Sequence, residues 1–358
     1  MNVQVLHDSE WSGVFYITGG GSLLLSDMLK VPGASQTVLD AQVPYSTEAL
    51  TQLLGGSTES YCSKEAACAL AMQAFNASIS LRSSDKNFGF ACTASLRSNE
   101  PKKGAHRAHI ALQTSDTTAY WFIEFEKGEL SREDEERKLG DFLMQSLGQG
   151  LSLYSDSSLV PDDSINVGTE LASLINGRIS HLNRRARVFL PGAFNPLHEG
   201  HKSMRSYVEE MLGEPVQYEL SVQNVDKPPL DFIEMQRRMH QFSEDSLVLT
   251  NCPRFVEKAE TLSDGGRGCT FVVGLDTFER IVSSRYYAGS LALRDEAIQK
   301  LTSVNTQFIV FGRLRNGNYR TLADVNIPDA LRDFCRVVTE EEFRMDISST
   351  QLRNFGKV

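Results

Sequence analysis

Ten consecutive residues carry the densest chemistry in the chain: Gly192-Ala193-Phe194-Asn195-Pro196-Leu197-His198-Glu199-Gly200-His201. Two histidines three residues apart share one face when a helix carries them. Aimed at one anionic centre, two imidazoles can donate to phosphate oxygens as charge develops there. Gly192 allows a backbone close to phosphate, and Gly200 lets a helix N-terminus approach it. A His-x-x-His pair is also half of a common zinc site, but no third ligand follows at a workable spacing, and no metal ligand is assigned. A second set lies near the C-terminus, Ile347-Ser348-Ser349-Thr350-Gln351-Leu352-Arg353. Ser348 and Ser349 are helix-capping types, and the free N–H groups and dipole of a capped helix favour an anion. Arg353, about one turn on, can fork onto phosphate oxygens. Together the two sets read as opposing jaws of a triphosphate clamp.

Such jaws need a rigid frame. The run Val188-Phe189-Leu190-Pro191 before Gly192 reads as a buried strand entering a tight turn. Further strands are expected at Gln217 to Val222, Ser246 to Thr250, Thr270 to Val273 and Gln307 to Phe311, with helical material between. Alternation of this kind predicts a parallel, doubly wound sheet, which binds nucleotides where its first strand meets its first helix. Earlier in the chain, short β-rich runs (Val14 to Ile17, Trp121 to Phe125) alternate with helices. One is expected from Lys64 to Ala77, and an acidic, amphipathic one opens near Ser131, its charge run read as a solvated face. The text from Tyr154 to about Asn166 is polar and turn-rich and reads as a linker, followed by a helix over Thr169 to His181. Two α/β domains are therefore expected, 1–152 and 187–358, joined by a linker and connecting helix over 153–186.

The length of 358 residues suits two domains, and the 41% hydrophobic content supplies two cores. A net charge of −10 argues against a nucleic-acid partner. No apolar run reaches the roughly 18 residues of a membrane span. The N-terminal text has no basic region ahead of an apolar core, so no secretory signal is expected. A cytoplasmic location follows, with the nucleus left open. The six cysteines show no metal spacing and are expected to be small buried hydrophobes.

The decamer resembles the GxFxPxHxGH signature of the nucleotidylyltransferase superfamily. Val273-Gly274-Leu275-Asp276-Thr277 looks like that family's strand-end GxD segment, and Ile347 to Arg353 looks like its ISSTxIR motif, with Leu352 for Ile. The KMSKS motif of related aminoacyl-tRNA synthetases is absent. The resemblance implies transfer of a nucleotidyl group from a nucleoside triphosphate, with Mg²⁺ on ATP as the cofactor, to a phosphorylated acceptor. It implies catalytic roles for His198 and His201, and nucleotide contacts from Gly192, Ala193, Phe194, Asn195, Gly200, Gly274 and Asp276. Ser349, Thr350 and Arg353 would hold the β- and γ-phosphates, with Ser348 a further phosphate-binding residue. Lys227, Arg237 and Arg238 are further candidates for substrate phosphate, each equally readable as a surface charge. The text from Glu219 to Phe242 with Val272 to Tyr287 looks most like the nicotinamide-nucleotide adenylyltransferase branch. ATP and a nicotinamide or nicotinate mononucleotide are then the expected partners. A different phosphorylated acceptor, or a non-catalytic nucleotide-binding scaffold, is the alternative.

Thr18-Gly19-Gly20-Gly21, Val31-Pro32-Gly33-Ala34-Ser35 and Tyr45-Ser46-Thr47-Glu48-Ala49 resemble the CinA C-terminal family, known for deamidating nicotinamide mononucleotide. The departures fall on its chemistry. Tyr16 stands at the position of the serine in ESCTGG, and Leu50 at that of the lysine in YSNEAK. Cys92 to Leu96 replaces GIAGP, losing glycines that allow close backbone approach. Thr18 and Ser22 are the remaining hydroxyls, with no base evident in the sequence. The expectation is an N-terminal domain inactive in deamidation that binds, regulates or, as CinA-like relatives do, self-associates.

Overall fold

Residues 14–17 alternate their burial between two cores, the signature of a strand covered on both faces. Phe15 and Ile17 enter one core, Val14 and Tyr16 the other. This strand, β1 (Ser12–Thr18), belongs to a six-stranded sheet with β2 (Val38–Gln42), β3 (Asn87–Ser95), β4 (His106–Thr114), β5 (Thr117–Phe125) and β6 (Asp163–Asn166). The order is β2-β1-β3-β4-β5-β6. Pairing is parallel around β1 and antiparallel from β3 to β6. The computed structural model describes residues 3–100, 102–154, 159–223, 228–263, 267–315 and 317–344.

Helices cover both faces of this sheet. The helix Lys64–Leu81 starts at Ser63, whose hydroxyl accepts from the Ala66 N–H. Its alanines let it lie hard against β3, where a Cβ at Gly89 would come within 2.0 Å of the Ala71 carbonyl oxygen. On the other face, Leu24 and Met28 of the helix Ser22–Leu29 and Leu139, Leu143 and Leu147 of the helix Arg132–Gly150 pack on Phe90, Leu112 and Trp121. The acidic opening of the latter helix suits its dipole, but it is not a solvated face throughout. Glu135 is fully buried, bonded to His106 Nδ1 at 2.6 Å and to the Arg97 N–H at 2.6 Å.

By contacts the chain forms two units, residues 1–176 with 225–236, and residues 177–224 with 237–358. This corrects the expected boundaries. The polar stretch read as a linker supplies β6 to the first sheet, and the helix expected to reach His181 ends at Ile175. Asn176-Gly177 is its stop signal, Gly177 taking a left-handed φ of 68°. Within the first unit, the Phe232 N–H donates to Thr118 Oγ1 at 3.0 Å.

The second unit contains a seven-stranded sheet of β7 (His181–Leu182), β8 (Val188–Pro191), β9 (Val216–Ser221), β10 (Leu247–Thr250), β11 (Thr270–Gly274), β12 (Gln307–Phe311) and β15 (Cys335–Val338). A hairpin, β13 (Arg313–Arg315) with β14 (Asn318–Arg320), interrupts the sequence. The short apolar runs are typical of strands buried on both faces. Sheet order is β15-β12-β11-β8-β9-β10-β7, all neighbours parallel except β7. Numbering the parallel strands in chain order gives 3-2-1-4-5-6, the doubly wound arrangement, whose direction reverses between β8 and β11. Both units are α/β, the second Rossmann-like. Among the described residues no helix is long and apolar enough to cross a membrane.

Candidate active site

At the reversal point β8 and β11 are parallel neighbours, paired at their first residues through Val188–Thr270 and Phe189–Phe271. Beyond β8 comes the histidine loop; β11 ends at Gly274 and runs directly into the helix Leu275–Val282. Ligands of doubly wound sheets bind in this crevice.

The helix Glu199–Leu212 begins immediately after His198, which is its N-cap in extended conformation, and the His198 N–H donates to His201 Nδ1 at 3.3 Å. That bond leaves the His201 proton on Nε2, a donor free of its own helix. The two imidazoles stack with ring centroids 3.8 Å apart and planes 24° from parallel. Burial holds the His198 pKa below its ordinary value. His201 is lowered to about 4 by burial and then by the neighbouring His198. Near neutral pH the pair is therefore uncharged, offering N–H donors at a helix N-terminus. Glu199 in the first turn bonds Lys202 at 2.7 Å.

The loop between strand and helix has an unusual shape. Phe194 has φ 45° and the Asn195–Pro196 peptide is cis. A left-handed phenylalanine costs roughly 1–2 kcal/mol, and its surroundings hold it there. Its ring is buried edge-on against His201, Tyr218 and Phe242 at 5.1–5.3 Å. That ring also explains Gly192, where a Cβ would stand 2.7 Å from it. The glycine expected to admit a phosphate is required first by Phe194, whose ring is buried. Arg238, expected as a substrate contact, is buried and donates to the Ala193 carbonyl at 3.0 Å, supporting the loop instead. Arg237 donates to Asn195 Oδ1 at 2.6 Å. Sequence reasoning missed Gln241, which accepts from the Leu197 N–H at 2.7 Å and donates to the Phe194 carbonyl at 2.9 Å. A glutamine just past a helix end carries no signal that distinguishes it from a surface residue. Beneath the loop, the Gly192 N–H donates to the Glu219 carbonyl at 3.0 Å, and the buried Glu219 carboxylate binds Thr250 and Lys258, both at 2.5 Å.

Across the crevice Gly274 caps the next helix, and a Cβ there would meet no protein atom within 4 Å. Asp276, in the first turn, is ion-paired with Arg313 of the hairpin, and Glu279 pairs with Arg320 at 3.1 Å. Lys227, Ser348, Ser349, Thr350 and Arg353 lie outside the described residues. The segment leading to the C-terminal motif is anchored: Phe343 packs on Phe311 at 4.9 Å and Tyr207 at 5.6 Å, and Tyr319 donates to its carbonyl at 3.2 Å.

The first unit has its own strand–glycine–helix turn, opening a cleft of about 640 Å³ lined by Gly19, Gly20, Ser22, Tyr45, Arg132 and Arg137 among others. Several of its donors are spent internally. The Gly21 N–H donates to both oxygens of Glu136 at 2.9 Å, as does the Ser22 hydroxyl to one of them at 2.9 Å and the Leu23 N–H at 3.4 Å. Arg132 donates to the carbonyls of Gly19 and Arg97 at 3.0 and 3.1 Å, and Arg137 pairs with Glu133 at 3.0 Å. Thr18 donates to the Pro44 carbonyl at 2.7 Å. Tyr16 and Leu50, at the positions where the CinA pattern has serine and lysine, are buried in the core.

Residues 189–355 match the family described as cytidylyltransferase-like. No curated protein sequence matches the chain. Among solved structures, the chain is similar to a competence-damaged protein (CinA) superfamily protein of Klebsiella pneumoniae, at 16% identity and a TM-score of 0.35 over 43% of this chain and 95% of that one. It is also similar to the competence/damage inducible protein CihA of Agrobacterium tumefaciens, at 17% identity and 0.32 over 42% and 90%. A CinA superfamily protein of Escherichia coli matches at 14% identity and 0.33 over 40% and 84%. The chain thus carries, over residues 189–355, a cytidylyltransferase-like domain, all of it in the second unit but for residues 225–236.

Proposed function

We propose that the protein transfers AMP from ATP to a phosphorylated acceptor, nicotinamide or nicotinate mononucleotide, releasing pyrophosphate. The carrying observation is the stacked, neutral histidine pair at a helix N-terminus in the crevice where the doubly wound sheet reverses. In this reading an acceptor phosphate oxygen attacks the α-phosphorus. A new P–O bond forms as the bond to the β-phosphate breaks, and the electron pair leaves on pyrophosphate. His198 and His201 donate to α-phosphate oxygens as charge gathers there. The open face at Gly274 leaves room for the nucleoside, with Asp276 as its hydrogen-bonding partner once Arg313 yields it. Ser349, Thr350 and Arg353 take the outer phosphates. Positioning and charge stabilisation suffice, without a covalent intermediate.

Mg²⁺ would screen the phosphate charges. Among the described residues no group of three or more His, Cys, Asp or Glu forms a cage. An ion that travels on the triphosphate and keeps its waters asks for no such cage.

For the first unit we propose loss of deamidation and retention of a binding, regulatory or self-associating role. Glu136 in the glycine turn and Tyr16 in the core support this.

The test incubates the full-length protein with Mg²⁺ and either ATP or CTP, offering each mononucleotide in turn, while pyrophosphate, dinucleotide and ammonia are followed. Dinucleotide from ATP without ammonia is expected. ATP binding without turnover of either mononucleotide would move the reading to another acceptor, turnover of CTP alone would overturn the choice of ATP, and failure to bind either nucleotide would leave only a scaffold.

A further inference from the structure

We infer that Gln241 is a positioning residue for the histidine pair, its side-chain amide fixing where the loop ends and the helix Glu199–Leu212 begins. The inference rests on the proposed nucleotidyl transfer.

The amide spans the loop from both ends. Its oxygen accepts from the Leu197 N–H at 2.7 Å and its nitrogen donates to the Phe194 carbonyl at 2.9 Å. Between these two anchors lie only Asn195 and Pro196, and the residue after Leu197 is His198, the helix N-cap. His198 in turn orients His201 through its own N–H. One amide therefore sets the register of Leu197, Leu197 sets the N-cap, and the N-cap sets both imidazoles. The geometry demands an amide. A carboxylate keeps the bond to Leu197 but loses the donor to Phe194, and a thioether loses both. Phe194, at a φ of 45°, then keeps its buried ring but loses one of the contacts that hold its backbone. A displacement of about 1 Å at the reacting groups is enough to cost on the order of 100-fold in rate.

A second glutamine of the same unit provides the control. Gln217 also uses both ends of its amide, accepting from the Arg185 and Ala186 N–H groups at 2.7 and 2.9 Å and donating to the Asn183 carbonyl at 2.9 Å. It braces the chain entering β8 rather than the loop leaving it.

The experiment compares the full-length protein with its Gln241→Met, Gln241→Glu, Gln217→Met and His198→Ala variants. It measures kcat and KM for ATP, thermal stability, and the imidazole titration of His198 and His201 by NMR. Gln241→Met is expected to lower kcat by roughly 10- to 100-fold with little change in KM. It should also move the imidazole titration up toward the ordinary histidine range. Gln241→Glu, which keeps the bond to Leu197 but loses the amide donor to the Phe194 and Arg238 carbonyls, should fall between it and the wild type and stands in should Gln241→Met not fold. Gln217→Met should lose comparable stability with kcat unchanged. Wild-type kcat and unmoved imidazoles in both Gln241 variants would overturn the inference, as would an equal loss of kcat in Gln217→Met. If the wild type turns over no nucleotide, the proposed function fails, and the titration alone decides the positioning role.

Discussion

Two turns in this molecule share one backbone plan. After β1, a strand runs through Gly19-Gly20-Gly21 into the helix Ser22–Leu29; after β8, a strand runs through Gly192 and its loop into the helix Glu199–Leu212. Each presents N–H groups at a helix N-terminus, where an anion is welcome. In the first, the chain provides the anion itself, the Glu136 carboxylate taking hydrogen bonds from Gly21, Ser22 and Leu23. In the second, the side chains at the helix start are two stacked imidazoles, and the nearby carboxylate of Glu199 is turned to Lys202. The same plan is closed by one side chain in one place and armed by two in the other. Backbone geometry alone does not decide whether such a turn is a site; what occupies its donors does.

The comparison breaks most sharply at the C-terminus. Removing residues 351–358, Arg353 among them, is expected to abolish nucleotidyl transfer while leaving the thermal midpoint within a few degrees of wild type. Retained turnover in a pyrophosphate-release assay would remove the second jaw from the clamp. His198→Ala should reduce kcat by roughly 10²- to 10³-fold, the usual loss when one preorganised donor to a developing oxyanion is removed. Circular dichroism should show the fold intact. In the other turn, Glu136→Ala should leave turnover within about twofold, yet cost about 1–3 kcal/mol of stability by stranding partly buried donors. Chemical denaturation reads that loss, and a fall in kcat to match His198→Ala would show the two turns to be functionally joined.

The smallest expected effect is in the pH profile. His201 titrates near 4 in the folded chain and near 6.5 when unfolded. Because the folded value is depressed, the unfolded chain binds the extra proton between these limits. The stability from a neutral His201 is therefore complete above about 6.5 and is lost as pH falls toward 4. His201 should contribute no inflection to kcat/KM between about pH 6 and 8. An ionisation near 6.5 that His201→Asn removes would show that the imidazole is not held neutral.

Much of this frame was legible in the residues. Gln307 to Phe311 is a strand as expected, because an unbroken apolar run bounded by polar residues has few other uses in an α/β chain. The histidine decamer falls at the end of a first strand, as its glycines and preceding apolar run imply. Other features were hidden for physical reasons. β6, Asp-Ser-Ile-Asn, is a polar edge strand held by backbone pairing with β5, so composition shows only a loop. Glu135 and Glu136 look like any charges in an acidic helix start, since burial depends on which way the first turn faces. Gln241 acts through its shape in space, joining residues far away in sequence. The strand order, which places Gly274 beside the histidine loop, is a tertiary fact that spacing does not encode.

The assignment of residues 225–236 to the first unit has a practical consequence. The polypeptide crosses from one unit to the other three times, after Asn176, after Asn224 and after Gln236. No single scission parts them into two whole pieces. A fragment ending at Asn176 lacks the Phe232 amide that Thr118 accepts, and the complementary fragment carries those residues as an orphaned insert. Limited proteolysis that nicks only the 176/177 junction should therefore leave the fragments associated under native conditions, like the halves of a split protein. Dissecting the roles of the two units will require substitution within the intact chain rather than truncation at the midpoint.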